Sequence, residues 1–86
     1  MCRNITTLRG LEPSATPDEI DAAARQYVRK VSGVQKTSHT TEIAFERAVM
    51  LVTAATVDLL EALPPRKLPP NSEPPLRKLA RVRPAR

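Results

Sequence analysis

Tryptophan is absent, and the aromatic side chains are two, Tyr27 and Phe45. A core must therefore be built from Ala, Val, Leu and Ile, and 86 residues allow one small domain. Domains of this size sit near the edge of independent stability and gain from a partner. Glycine is almost as scarce. Gly10 and Gly33 are the only two, too few for a glycine-rich phosphate loop. A single cysteine, Cys2, excludes an intrachain disulfide and a Cys-based zinc spacing. The single histidine, His39, lies in a polar linker without a second ligand, and reads as a loop or helix-cap residue. Long apolar runs are missing too: AVMLVTAATV, the longest uncharged stretch near the middle, has ten residues and cannot span a bilayer. No basic segment leads into an apolar secretory stretch. The expectation is a soluble, cytoplasmic chain with no membrane contact.

What is abundant is proline and positive charge, and both are unevenly placed. Residues 64–86 hold seven Lys/Arg against one acid, Glu73, a balance of +6 within a chain of net +5. The same segment holds seven of the nine prolines. Residues 1–63 are almost neutral. This composition break sets the expected boundary: a small helical domain over 1–63, then a Pro-rich basic tail over 64–86, extended or disordered.

Within the first part, helical signals dominate. Ile5, Leu8 and Leu11 are three apart, which suits a short N-terminal helix closed by Gly10 and Pro13. In ATPDEI, Thr16 is a good N-cap and Pro17 fits the first helical position. Glu19, three residues after Thr16, completes a capping box. Asp18, Glu19 and Asp21 place negative charge where the helix dipole favours it. Ile20, Ala23, Ala24, Tyr27, Val28 and Val31 then recur at the spacing of a buried stripe. Arg29 and Lys30 load the last turn, and Gly33 stops the helix.

After the polar link VQKTSHT, where Ser38 or Thr40 is the expected cap, a second long helix is predicted over about 41–63, ended by Pro64-Pro65. Its main stripe is Phe45, Ala48, Val49, Val52, Thr56, Leu59, Leu60 and Leu63. A second stripe of Ile43, Met50, Ala54 and Val57 lies roughly opposite. The predicted fold is all-α: a short N-terminal helix plus an antiparallel two-helix hairpin. The second stripe needs its own cover, supplied either by the Ile5–Leu11 segment or by a second copy or another protein.

The order of these elements carries a resemblance. The residues LRGLEPSATPDEIDAAARQYVRK look like the opening of a J-domain, the co-chaperone module. Leu8, Gly10, Leu11, Pro13, Ala15, Thr16, Glu19 and Ile20 fall at that family's turn and cap. Ala23, Arg25, Lys30 and Val31 fall on its basic second helix, and Phe45 begins the third. The resemblance implies a J-domain-like scaffold over about residues 5–60. It departs sharply after the basic helix, where a J-domain carries His-Pro-Asp and this chain has Ser32-Gly33-Val34. Without imidazole, carboxylate and proline, no stimulation of a chaperone ATPase is expected. The chain also resembles short uncharacterised bacterial proteins that open with MCRNI and continue into similar LRGLEP and QYVRKVSG segments. That likeness spans most of residues 1–63 and implies a domain of unknown function.

No residue set points to catalysis, a cofactor or a metal. Cys2 lacks a second soft ligand, and the acids are accounted for by capping and helix pairing, as in Asp21 with Arg25 at i, i+4. The expectation is a non-enzymatic interaction module. Its candidate partner-binding residues are the basic flank Arg25, Arg29, Lys30 and Lys36 and the stripe Ile43, Met50 and Val57. The alternative is a nucleic-acid- or ribosome-associated factor working through its tail. That segment repeats PPRKL, PPNSE and PPLRK, which contains no P-x-x-P and favours polyproline II. Arg66, Lys67, Arg77, Lys78, Arg81, Arg83 and Arg86 are its candidates for an anionic partner, RNA or DNA included. No aromatic is present in the tail for base stacking.

Overall fold

The computed structural model describes residues 4–66, 69, 70 and 73–77. Two helices form its body, α1 at Pro17–Ser32 and α2 at Glu42–Ala62, and no strand occurs among the described residues.

α1 begins as its sequence dictates. Thr16 is extended (φ −84°, ψ 158°). Its Oγ1 accepts from the Glu19 amide at 3.1 Å, while Glu19 Oε1 accepts from the Thr16 amide at 2.9 Å. Two otherwise orphaned donors are satisfied reciprocally. The helix ends at Gly33, whose φ of 74° is open to glycine at no steric cost, and the Gly33 amide donates to Arg29 O at 2.9 Å. Ser32 reinforces the stop: its Oγ donates to Val28 O at 2.6 Å and accepts from the Val34 amide at 3.1 Å.

α2 starts differently from expectation. Neither Ser38 nor Thr40 is at the cap; Thr41 is, with near-helical angles (φ −109°, ψ −15°) and no side-chain bond to the α2 amides. Its hydroxyl instead accepts from the Ser38 amide at 2.8 Å, and Ser38 O accepts from the amides of Thr41 and Glu42. The link thus closes as a hydrogen-bonded turn that runs straight into the helix.

Two apolar clusters hold the helices together. Ala24 and Val28 of α1 meet Phe45 and Val49 of α2, with Val34, Ala48 and Val52 packed alongside. Ile20, near the start of α1, joins Leu8 and Leu11, with Ala15, Val57 and Leu60 against them. Among the described residues no large side chain is completely sealed, so the core is shallow, as the scarcity of aromatics requires.

The expected short helix around Ile5, Leu8 and Leu11 is not formed; residues 4–16 are turns and irregular backbone. The reason is Gly10, at φ 91°, inside a turn closed by the Leu11 amide on Leu8 O at 3.4 Å. A positive φ there reverses the chain and brings Leu8 and Leu11 onto the same side, against the helices. Of the residues anticipated as a helical stripe, Leu8 and Leu11 are buried by a turn instead, and Ile5 stays exposed. The segment is tied at both ends. The Asn4 amide donates to Gln26 Oε1 at 2.7 Å, and Arg9 donates through Nε and Nη2 to Pro64 O at 3.1 and 2.7 Å.

Candidate interaction surface

The two apolar stripes of α2 meet different fates. Phe45 and Val49 are buried, and Val57 is half-buried beneath the Leu8–Leu11 turn. Ile43 is 84% exposed and Met50 63%, so the N-terminal segment covers only the far end of the second stripe. Leu51 at 57% and Leu59 at 55% are also open, and sequence reasoning did not single out Leu51 at all. The missed signal was available. On a helix whose buried side is set by Phe45 and Val49, Leu51 falls on the opposite side. The exposed surface is completed by Ala44, Ala54, Ala55 and Ala62, interrupted only by Arg47, Asp58 and Glu61.

The basic flank of α1 divides. Arg25 is already engaged: Nε donates to Asp21 Oδ2 at 2.9 Å, and Nη1 and Nη2 form a fork on Glu46 at 2.8 Å each. Hydrogen bonding to Glu46 first, and to Asp21 second, holds Arg25 even more firmly protonated than usual. In return, the Glu46 carboxyl is drawn below the usual glutamate range, chiefly by the bonds from Arg25. Arg25 therefore joins α1 to α2 rather than standing free for a partner. Arg29, Lys30 and Lys36 are exposed and remain the open part of that flank.

The described tail makes one strong contact with the helices. Residues 75–77 form a single helical turn, with the Arg77 amide on Pro74 O at 3.1 Å and Pro74 buried. From that turn Arg77 reaches Glu19: Nε to Oε2 at 3.1 Å and Nη2 to Oε1 at 3.0 Å, with a longer contact to Ser14 O at 3.4 Å. Both side chains are largely buried, at 14% and 4% exposure. Burial alone would raise the Glu19 pKa. Bonds from the Thr16 backbone and from Arg77, together with the Arg77 charge, outweigh it and hold the carboxyl below its ordinary value. The same glutamate thus caps α1 and anchors residue 77. Arg77, expected among the tail's free cations, is committed inside the molecule. No local signal announces this pair, because its members are 58 residues apart.

Arg66 is exposed, whereas Lys67, Lys78, Arg81, Arg83 and Arg86 lie outside the described residues, as does Cys2. His39 is exposed in the link. Among the described residues, no three His, Cys, Asp or Glu side chains come close enough to share a metal ion. No helix among them is long and apolar enough to cross a membrane. An open groove of about 610 Å³ runs between the Leu8–Leu11 turn and the end of α2, with Arg9 and Arg66 at its rim. Its lining joins the apolar Leu8, Leu11, Ile20 and Leu60 to Glu12, Ser14 and Glu61.

Two helices braced by a turn and a returning arginine define a small helical scaffold with an exposed apolar side on α2. A family model described as an uncharacterized conserved protein (DUF2277) matches residues 1–83, and the chain belongs to that family. The match continues across the composition break at 63/64, well into the basic tail. Neither the curated proteins nor the solved structures yielded a match.

Proposed function

We propose that the chain is a non-enzymatic protein-interaction module, built on a J-domain-like antiparallel hairpin that has lost the co-chaperone tripeptide. One observation carries this reading. The outward side of α2 exposes Ile43, Met50 and Leu51 together, and surface of this kind on a small domain marks association. The hairpin itself is supported by the pairing of ends: Val28 with Phe45, and Ile20 with Val57 and Leu60. In place of His-Pro-Asp, Ser32-Gly33-Val34 serves as a helix stop and supplies Val34 to the core. The test is crosslinking and capture from native cells with the full chain, run beside Ile43→Asp/Met50→Asp. Binding that the double variant loses supports the module; binding that survives it unchanged refutes the assignment to α2.

A second reading, in which the tail meets RNA or DNA, draws on the +6 balance of residues 64–86. Arg77 is subtracted from that set by Glu19. Its check is affinity for single-stranded RNA and duplex DNA across a salt series; absence of a salt-dependent term rules it out.

A further inference from the structure

We propose that the outer side of α2 is the self-association surface of this protein, pairing antiparallel with α2 of a second copy in a register set by Arg47 and Asp58. This deepens the interaction-module reading and rests on it. The exposed positions Ile43, Ala44, Arg47, Met50, Leu51, Ala54, Ala55, Asp58, Glu61 and Ala62 fall within an arc of about 140° at 3.6 residues per turn. Phe45 and Val49 point the other way, into the core. Every one of these exposed positions has a counterpart when the helix is reversed about its midpoint. Ile43 then lies level with Ala62, Arg47 with Asp58, Met50 with Ala55, and Leu51 with Ala54. A two-fold axis between residues 52 and 53 therefore overlaps α2 over its full length and places apolar side chains level with apolar ones, except toward each end, where Ala44 lies level with Glu61. The only charges near the middle of the strip, Arg47 and Asp58, meet as opposites, and symmetry makes the pair twice.

The charges also reject the alternatives. A parallel pairing in register would set Arg47 against Arg47 and Asp58 against Asp58. Sliding the antiparallel pair by three residues one way sets Arg47 and Asp58 both against alanine, and three the other way brings Arg47 to Glu61 but leaves Asp58 level with Met50. The midpoint register alone pairs both charges, the arrangement by which a few polar groups in an apolar seam fix helix register. Among the described residues, Arg47 and Asp58 make no ion pair, unlike Arg25 with Glu46. The alanines at 44, 54, 55 and 62 allow close approach of two backbones, and Ile43, Met50 and Leu51 supply the bulk of the apolar contact. The interface is isologous, as two-fold dimers require.

Sedimentation velocity of the full chain over a concentration series tests this, with circular dichroism confirming that each variant stays helical. Wild-type protein is expected to dimerise. Arg47→Asp and Asp58→Arg should each weaken the dimer by about tenfold or more, and the double swap should recover most of the loss. Gln35→Glu, exposed in the link and away from the strip, should leave it unchanged. A wild-type chain that stays monomeric into the hundreds of micromolar overturns the proposal. If capture of another protein remains sensitive to Ile43→Asp/Met50→Asp in that case, the interaction-module reading survives while self-association is rejected. A dimer indifferent to both single charge reversals also overturns the register proposed.

Discussion

Glu19 shows how much one side chain carries in a chain this short. It completes the capping box of α1, lies nearly buried, and receives the Arg77 fork. Its depressed pKa sets the sign of its pH dependence. The stabilisation is fully present above the ordinary glutamate value of about 4.3 and is lost as pH falls through the lower folded value. Urea midpoints of wild type and Glu19→Gln should thus differ at neutral pH by an amount equivalent to about 2–3 kcal/mol and converge in acid. An unchanged gap down to pH 2–3 would contradict the assignment (about two pH units below the ordinary value). Half of this residue's work was legible in the sequence. Thr16 and Glu19 stand three apart beside Pro17, and local spacing is enough to announce a cap. The other half was not, because nothing near Arg77 distinguishes it from the arginines and lysines around it.

At the scale of elements, the bounds of α1 were readable nearly to the residue because cap, dipole charges and stop signal agree, while α2 was readable from its apolar period and the Pro64-Pro65 stop but not from its cap. The segment before them was misread for an equally physical reason. Three apolar residues at spacing three fit a helical turn and also fit a loop folded onto a core, and Gly10 with its positive φ decides for the loop. The two sides of α2 were visible as stripes, yet which would be covered depended on that loop's path. The sides should respond oppositely to truncation. Val49→Ala, at a position 2% exposed, should cost about 2 kcal/mol in chemical denaturation. Leu51→Ala should stay within about 0.5 kcal/mol under dilute conditions, where the monomer dominates. Equal losses at both positions would mean that the outward side is covered within the monomer. The Arg25 link between the helices is solvent-facing, so its contribution should fade as salt rises.

For the whole molecule, Ser32-Gly33-Val34 forms the end of α1, and in the J-domain-like reading proposed above it stands where a charged contact loop would be. Titrated into a heat-shock chaperone, the full chain should leave its steady-state ATP hydrolysis at the basal rate; a dose-dependent rise would revive a co-chaperone role. The tail belongs to the molecule more intimately than its composition suggests, since it is stitched to the first turn of α1 across most of the chain. That stitch has a kinetic consequence. As long as the backbone between residues 63 and 77 is continuous, Arg77 searches for Glu19 from a tethered distance, at an effective concentration on the order of millimolar. A single proteolytic nick in that span would turn the same encounter into one between separate molecules, and the released fragment would diffuse away. Cleavage there would act as a one-way switch: it would free a basic peptide and loosen the entrance of α1, leaving the Phe45–Val49 core intact.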